Sequence, residues 1–462
     1  MCAAPQPGPR GGQAPPVLSR GLPLLGHLLE LRHRPIELFE RARRECGDVG
    51  ELNFAGNRVV MLSGEAAQEA FFRAPDEQLD QAAAYPFMTP IFGKGVVFDA
   101  GPEQRRQAMK NQSLRDKLMR GHAEVIAAET ERMMAGLGDA GEIDLLDFMS
   151  ELTIYTSSAC LIGRRFREAL GPECYRVFYE LEKGTDALAY VNPDLPLPAF
   201  RARDRARRRL VELLTGIFAE REGQAEPEQR ELFDVLLTIR NEDGSQRYPI
   251  DVITGMFISM MFAGHHTTSG TAAWTLIELL RHPAFLARVV HELDELYADG
   301  RDVSYQALRE IPLLEAGIKE ALRLHPPLIL LMRKVMIPFH YEGWTVPVGK
   351  LVAVSPAVSN RMPECFPDPD RYDPTRYAPG RDEDRQLFAW IPFGAGRHRC
   401  VGAAFAMMQL KAIFSELLRR YEFDLSQPSE SYRNDHSKMV VQLKQPCRVR
   451  YRHRAASDGD VG

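Results

Sequence analysis

The segment from Val252 to Ile277 constrains the fold of this chain most, because it contains no Asp, Glu, Lys or Arg. Pro249 and Asp251 stand where a helix would start, and His282-Pro283 ends the pattern. At about 1.5 Å per residue such a helix is roughly 39 Å long. A helix that is apolar nearly all round is buried in protein or in lipid, and a run longer than about 18 apolar residues is also a transmembrane candidate.

The centre of this segment favours burial in protein. Residues 264–271 read Gly-His-His-Thr-Thr-Ser-Gly-Thr, and small or polar residues at that depth are costly in a bilayer. Helical spacing groups one face, formed by Met260, Ala263, His266, Thr267 and Gly270. Ala263 keeps this face low, so that a flat partner could pack beside a titratable group and a hydroxyl. A satisfied core histidine with hydroxyls bonded to helix carbonyls is the alternative interpretation.

A second constraining feature is the stretch from Phe393 to Gly402, which reads FGAGRHRCVG. It places Cys400 directly before a helical pattern that runs from Val401 to Arg420. Glycines permit tight turns and close backbone approach, and free N–H groups at a helix start stabilise a thiolate. These are the needs of a thiolate that ligates a large flat metal cofactor, whereas a buried structural cysteine is the alternative.

Two further motifs predict a brace for the cysteine loop. Glu320 and Arg323 are three residues apart in an apolar helical run, and Arg376 lies in an irregular stretch before Cys400. One buried carboxylate shared by two guanidiniums would hold that stretch in place. The alternative is a weak surface pair of the kind common on helices.

Composition sets the class of protein. The chain has 462 residues, 45% of them hydrophobic, and a net charge of −5 from 58 basic and 63 acidic side chains. This balance gives no overall case for nucleic-acid or membrane-surface binding. Seven scattered cysteines without a C-x-x-C exclude a zinc ribbon and the usual iron–sulfur spacing, and they predict thiols in the reducing cytoplasm.

The pattern along the chain predicts a mainly α fold with a minor β part (α+β), built as a single domain. We assign the domain to residues 21–453, after a flexible Pro/Gly-rich lead at 1–20 and before a disordered tail at 454–462. The first residues show neither a charged n-region nor an apolar core, so we expect no signal peptide and no membrane anchor.

These motifs together resemble the cytochrome P-450 (haem-thiolate monooxygenase) family. Phe393–Gly402 matches its F-x-x-G-x-R-x-C-x-G loop except that His398 stands at the Arg position. Glu320-x-x-Arg323 resembles its E-x-x-R pair, and Arg376 resembles the third member of its Glu–Arg–Arg cluster. The resemblance extends from about Leu22 to Tyr451 and implies a triangular domain whose long central helix lies over haem b, with Cys400 as iron ligand.

A branch of the family is also indicated. The run Phe262–Thr271, with His266 where most members carry an acid, resembles the sterol 14α-demethylases, and so does His398. The loop Tyr85–Asp99 and the stretches Ile154–Gly163 and Tyr432–Met439 are similar to further parts of that branch. The match is best to its soluble bacterial members.

The resemblance implies three successive O₂-dependent oxidations that remove the 14α-methyl group of lanosterol-type sterols and release formate. Thr267 and His266 would handle the protons of dioxygen activation, so that turnover would follow the titration of His266. Two alternatives stay open, namely a haem-thiolate hydroxylase of another lipid or terpenoid and a haem-based gas sensor or carrier.

The resemblance also assigns binding residues. The haem would contact Tyr85, Arg106, Arg333, His398, Phe393 and Gly394. The sterol pocket would be lined by Phe87, Met88, Phe92, Val97, Phe98, Met260, Phe262, Ala263, Leu330 and Met332. Arg106 stands where this branch usually has Lys and keeps the charge.

Electrons would come from NAD(P)H through separate proteins, because the chain has no Rossmann glycine fingerprint, no flavin domain and no ferredoxin cysteine spacing. A ferredoxin and a ferredoxin reductase are therefore the expected partners. The basic residues near the cysteine loop form a candidate docking face for an acidic ferredoxin, namely Arg397, Arg399, Lys411, Arg419 and Arg420. Ordinary helix surface charge is the alternative interpretation.

Overall fold

The protein was analysed as a computed structural model that describes residues 12–100, 116–169, 172–182, 187–190, 192–221, 232–241 and 243–454. Arg106 lies outside these residues. The helices are α1 Leu28–His33, α2 Pro35–Cys46, α3 Glu65–Arg73, α4 Thr89–Phe92, α5 Asp116–Met134, α6 Leu145–Ser157, α7 Arg164–Ala169, α8 Pro172–Glu182, α9 Pro198–Arg221, α10 Leu232–Thr238, α11 Ile250–Arg281, α12 Pro283–Leu296, α13 Pro312–Leu324, α14 Pro356–Ser359 and α15 Ala403–Arg420. The strands are β1 Val49–Phe54, β2 Asn57–Leu62, β3 Leu79–Asp80, β4 Ala140–Asp144, β5 Leu331–Val335, β6 Phe339–Tyr341, β7 Trp344–Val346, β8 Leu351–Val354, β9 Tyr421–Leu425, β10 Asn434–Asp435, β11 Gln442–Leu443 and β12 Arg448–His453.

The strands form a small part of the fold beside the helices. The largest sheet has the order β1-β2-β8-β5-β3, in which β2 and β8 are parallel and the other pairs are antiparallel. A second sheet has the order β4-β12-β9, and β6–β7 and β10–β11 are separate hairpins. The β1–β2 hairpin turns at Ala55-Gly56, where both residues have positive φ, the backbone conformation of a tight two-residue hairpin turn. The prediction of a mainly α fold with a minor β part is confirmed.

The charge-free segment lies within α11, which continues to Arg281 and spans 32 residues, roughly 48 Å at about 1.5 Å per residue. Pro249 precedes its first turn, and Arg281 lies in its last turn, where a cation interacts favourably with the free carbonyls. From Ala272 to Leu279 every residue of α11 is buried. In the part of the chain that the structure describes, no helix is both long enough and apolar enough to cross a bilayer.

The helix α11 passes through the main hydrophobic core and packs against α6, α13 and the β10–β11 hairpin. The contact with α6 is close because Gly264 lies in it. A Cβ at Gly264 would lie 3.1 Å from Leu161 Cδ1 and 3.3 Å from Ser157 Oγ, which is tighter than ordinary packing. The helices that carry the site are therefore joined in one core.

Candidate functional site

The cysteine loop, the centre of α11, the Tyr85–Phe98 loop and β5 enclose one large cavity of about 2260 Å³. Ligand pockets are usually about 300 to 1,000 Å³, so that this cavity has room for a cofactor and a substrate together. The predicted residues that line it are Tyr85, Met88, Phe92, Val97, Phe98, Met260, Phe262, Ala263, Thr267, Leu330, Met332, Arg333, Phe393, Gly394, His398 and Cys400.

Phe87 was predicted to line the pocket, and the structure places it elsewhere. Residues 86–88 form a 3-10 turn, in which side chains three apart lie on the same face while the two between them point elsewhere. Tyr85 and Met88 therefore face the cavity, whereas Phe87 is buried beside the Tyr85 ring at a centroid distance of 5.6 Å. The prediction for Phe87 is wrong because an aromatic-rich loop gives no period to follow.

His266 also does not line the cavity, although helical spacing grouped it with Ala263 and Thr267. Its imidazole packs edge-on against the Phe262 ring at a centroid distance of 4.3 Å. The β10–β11 hairpin contacts the backbone here, where Gln442 Nε2 donates to the His266 carbonyl at 3.2 Å. Burial, with a smaller contribution from the Lys438 cation, lowers the pKa of His266 to about 3. His266 is therefore neutral near pH 7, and its part in turnover stays a prediction.

The neighbouring His265 is a satisfied core histidine. Its Nδ1 lies 2.8 Å from Thr153 Oγ1 on α6, and that hydroxyl donates to the Met149 carbonyl at 2.8 Å. Because a hydroxyl carries one proton, Thr153 accepts from His265, whose Nδ1 therefore bears hydrogen. The alternative interpretation, a core histidine with its hydrogen bonds satisfied, therefore applies to His265.

Thr267 lies at the cavity wall on the exposed side of α11. Its Oγ1 donates to the Ala263 carbonyl at 2.8 Å, the back-bond that Thr forms in helices. The hydroxyl proton is thus held within the helix, while the oxygen lone pairs face the cavity. The side chain must leave Ala263 before it can donate to a ligand.

The cysteine loop is shaped by two glycines with positive φ, Gly394 and Gly396. A Cβ on Gly396 would overlap the carbonyl oxygen of Phe72, so that only glycine lets the loop lie against α3. The Cys400 N–H donates to the Phe393 carbonyl at 2.9 Å, which closes the loop. The sulfur faces the cavity just before α15 begins.

The electrostatics at Cys400 combine opposing effects. Burial raises the pKa of the Cys400 thiol, while the Gly402 N–H that donates to it and the Arg399 cation act in the opposite direction. The N–H of Gly402 is a donor suited to a bound thiolate. Coordination to a metal ion would deprotonate the thiol outright.

Three polar groups of the cavity lie together on one side of it. Arg333 is buried, and its Nη1 donates to the carbonyls of Phe71 and Ala74 at 2.7 and 3.3 Å. Burial lowers its pKa to about 10, so that it is still a cation at neutral pH. The Tyr85 hydroxyl accepts from the Met332 N–H at 2.9 Å, which leaves its own proton free to donate.

The third group, His398, has a partner that sequence reasoning missed. Its Nε2 lies 2.6 Å from Asp76 Oδ1, while its buried Nδ1 has no hydrogen-bond partner among the described residues. Asp76 lies in the connection after α3, far from His398 in sequence, and no local pattern marks it. The side chains of Arg333, Tyr85 and His398 thus bring donor capacity to an apolar cavity.

The predicted brace is present as a buried cluster. Glu320 accepts from Arg323 Nε and Nη2 at 2.8 and 2.9 Å and from Arg376 Nε at 3.1 Å. The Tyr377 hydroxyl and the Asp373 N–H donate to the same carboxylate at 2.8 Å each. Every donor and acceptor around Glu320 is thereby used, which is what a buried charge needs.

This cluster reaches the cysteine loop through Asn360. Arg323 Nη1 donates to the Asn360 carbonyl at 2.9 Å, and Asn360 Oδ1 accepts from the Ile391 N–H at 3.0 Å. Ile391 directly precedes the loop that holds Cys400. The brace therefore orients the loop through two successive hydrogen bonds.

A family model described as Cytochrome P450 matches residues 15–451 of the chain. The chain belongs to the cytochrome P450 family. Membership implies a haem iron and dioxygen-dependent monooxygenation, so that this cytochrome P450 is an oxidoreductase.

Similar proteins are known from bacteria and plants. The sterol 14α-demethylase of Mycobacterium tuberculosis strain H37Rv is 59% identical over 95% of this chain and 98% of its own length. That of Mycolicibacterium vanbaalenii is 57% identical over the same shares. The sterol 14-demethylase of Arabidopsis thaliana is 36% identical over 96% of this chain and 92% of its own.

A solved structure supports the fold. The structure titled retinoic acid bound cyanobacterial CYP120A1 superposes with a TM-score of 0.84 at 22% identity, and covers 96% of this chain and 99% of its own. The predicted P450 architecture is confirmed by this likeness.

The residues of this cytochrome P450 fit a haem. Cys400 supplies a sulfur ligand in a cavity wide enough for a macrocycle, and Gly396 keeps the loop close to α3. Arg333 and the unpartnered Nδ1 of His398 lie where carboxylates could neutralise or satisfy them. In the described ranges, no cluster of three or more His, Cys, Asp or Glu side chains could hold a metal ion by itself.

The five basic residues predicted as a docking face are divided by the structure. Lys411 is paired with Glu315, and Arg419 and Arg420 contact Glu416 at the far end of α15. Only Arg397 and Arg399 are exposed beside Cys400. Lys411, Arg419 and Arg420 therefore lie apart from Arg397 and Arg399, and a docking face beside Cys400 stays a prediction.

Proposed function

We propose that this cytochrome P450 is a sterol 14α-demethylase that removes the 14α-methyl group of lanosterol-type sterols by three successive O₂-dependent oxidations and releases formate. The observation that carries the proposal is the 57–59% identity to bacterial sterol 14α-demethylases over 95% of the chain.

The cavity supports a large, rigid and mainly apolar substrate. The aromatic rings of Phe92, Phe98 and Phe262 pack together at centroid distances of 5.7 to 5.9 Å and line the wall beside Thr267. Such rings bury apolar area and exclude water. Apolar pockets with few polar groups suit a sterol skeleton.

The residues of the chain have separate roles in the proposed reaction. Cys400 binds the haem iron, and Arg333, Tyr85 and His398 bind its carboxylates; the bound haem supplies the activation of dioxygen. Thr267 holds a proton at Oγ1 beside the cavity and delivers it after leaving the Ala263 carbonyl. The neutral His266 side chain adds no charge to the core beside the cavity.

Electrons are proposed to come from NAD(P)H through a separate ferredoxin and ferredoxin reductase, and the protein to work in the cytoplasm. Arg397 and Arg399 are exposed beside the cysteine loop and suit an acidic partner. Exchanging both for Gln should slow ferredoxin-dependent reduction while dithionite reduction is unchanged.

The test is a titration of the purified holoenzyme with two matched sterols, one with and one without the 14α-methyl group. We expect the 14α-methyl sterol to displace water from the site, which shifts the haem absorption, and reconstituted turnover to yield formate and a sterol with a new double bond. No spectral change with any 14α-methyl sterol, together with a response to another lipid or terpenoid, would contradict the proposal.

A further inference from the structure

The centre of α11 is tied to α15, the helix that follows Cys400, by a buried amide. Gln409 on α15 is fully buried at the end of α6. Its Nε2 lies 2.6 Å from Thr156 Oγ1 and 3.1 Å from Ser157 Oγ, both of which are also fully buried. None of these three side chains lines the cavity, and no motif of the chain gives any of them a role in the site.

The direction of each hydrogen bond follows from the count of protons. Thr156 Oγ1 donates to the Leu152 carbonyl at 2.8 Å, and Ser157 Oγ donates to the Gly264 carbonyl at 3.3 Å. A hydroxyl has one proton, so that each hydroxyl accepts from the Gln409 amide. This fixes the orientation of the amide, because only its nitrogen has two protons to give.

Two chains of hydrogen bonds thus start at one nitrogen and end in different places. The chain through Thr156 returns to α6 at Leu152. The chain through Ser157 crosses to α11 at Gly264, which lines the cavity together with Ala263 and Thr267. The two chains are therefore matched in burial and chemistry and differ in whether they reach the site.

The Gly264 carbonyl accepts a hydrogen bond from outside its own helix. In a regular helix the Gly264 carbonyl accepts from the N–H four residues later, and its second lone pair is available to Ser157. The adjacent carbonyl, that of Ala263, holds the Thr267 hydroxyl at 2.8 Å. The Gly264 Cα joins the peptide unit that carries this carbonyl to the unit that carries the Gly264 carbonyl, so that displacing Gly264 would also move the acceptor of the Thr267 hydroxyl.

We propose that Ser157, held by Gln409, is a positioning residue that fixes the Gly264 carbonyl and through it the Thr267 hydroxyl at the oxygen-activating site. The role belongs to the monooxygenase chemistry of the family and is independent of the substrate. It also couples the helix that follows the iron ligand to the helix on the opposite wall.

The first test uses the carbon monoxide complex of the reduced holoenzyme, without any sterol. The C–O stretching frequency responds to polar groups near the iron, so that Ser157→Ala should shift and broaden the band. Thr156→Val removes the other acceptor of the same amide and should leave the band in place. Ser157→Thr keeps the hydroxyl and should restore the wild-type frequency.

The second measurement is hydrogen peroxide released per NAD(P)H consumed during reconstituted turnover. Ser157→Ala should raise this ratio severalfold, because a misplaced Thr267 hydroxyl delivers its proton less often. Thr156→Val should lower thermal stability and leave the ratio unchanged. If the Ser157→Ala protein fails to retain haem, Ser157→Cys takes its place, because a thiol is a weaker donor than a hydroxyl. Its band shift and its peroxide ratio should then exceed those of Thr156→Val.

Equal band shifts in Ser157→Ala and Thr156→Val would mean that the amide only stabilises packing, and the proposal would fail. An unchanged band in Ser157→Ala would overturn it as well. A failed sterol titration with these band shifts intact would remove the substrate assignment and leave this inference standing.

Discussion

The arginines of the Glu320 brace and the arginine of the cavity wall, all buried, differ in how completely they are paired with carboxylates. We call the first two the complete set and Arg333 the incomplete set. Arg323 and Arg376 are 0% and 1% exposed and share the Glu320 carboxylate with full hydrogen bonding. Arg333 is 2% exposed, donates to two carbonyls and forms no ion pair with a carboxylate among the described residues. The first set stabilises the fold, whereas the second keeps a charge available for a ligand, since an unpaired buried cation is costly by itself.

The largest effect should come from breaking the complete set. Arg323→Leu leaves Glu320 buried with one partner fewer and should lower the free energy of unfolding by about 3 to 5 kcal/mol. Urea unfolding of the wild type and the variant measures this loss. Arg209→Leu is the control, because Arg209 forms exposed ion pairs and should change stability little. Equal losses in both variants would contradict the assignment of Arg323 to a structural brace.

Breaking the incomplete set should affect haem binding more than folding. Arg333→Leu removes a charged donor and should weaken haem binding about 10- to 100-fold, as expected for a charge-assisted hydrogen bond. Transfer of haem to an excess of an acceptor apoprotein measures the change. Arg333→Lys keeps the charge, and its affinity for haem should lie between those of the wild type and Arg333→Leu. Unfolding of the Arg333→Leu apoprotein at the same cost as Arg323→Leu would remove the distinction.

His266 provides a third case, a buried group that stays neutral. Its pKa is lowered to about 3 in the folded protein, so that its contribution to stability is present above the unfolded pKa of about 6.5 and is lost as pH falls towards 3. The wild type should therefore lose about 2 kcal/mol more than His266→Leu between pH 7 and pH 5. Parallel urea curves for both proteins at the two pH values would show that His266 is not held neutral.

The smallest effect should come from Tyr85, where one oxygen is removed. Tyr85→Phe loses the acceptor of the Met332 N–H and should cost about 1 kcal/mol. Burial raises the pKa of Tyr85 to about 12, so that its stabilising contribution is present below pH 10 and is lost between pH 10 and 12. The difference between wild type and variant should shrink over that window in urea unfolding, and a constant difference would show that the phenol is not buried.

Motifs with local spacing were predictable from the sequence. The α11 helix, the β1–β2 hairpin and the loop before α15 follow from charge-free periodicity, a turn signal and glycine placement. The three members of the brace were also named in advance, because the i, i+3 spacing of Glu320 and Arg323 puts both on one helix face. The strand β4 was missed, because it lies in a Gly-rich break and exists only by pairing with β12.

Other parts of the site depend on which element covers which. Phe87 and His266 were assigned to the cavity from loop composition and helical spacing. In the structure Phe87 packs beside Tyr85 and the His266 ring packs against Phe262, and neither lines the cavity. Asp76 and Gln409 had no signal, since their partners are distant in sequence. The basic residues predicted as a docking face lie apart, because Lys411, Arg419 and Arg420 are on α15 while Arg397 and Arg399 are in the cysteine loop.

The sequence by itself determined a glycine-rich cysteine loop before one helix and a buried helix with a polar centre, because both depend on residues close together in the chain. Only the tertiary structure decided which side chains face the haem cavity and which are paired in the core. The physical reason is that burial and hydrogen-bond partners come from elements that are far apart in sequence. The same charge-free segment therefore presents Thr267 to the cavity and His265 to α6, while the His266 ring packs against Phe262.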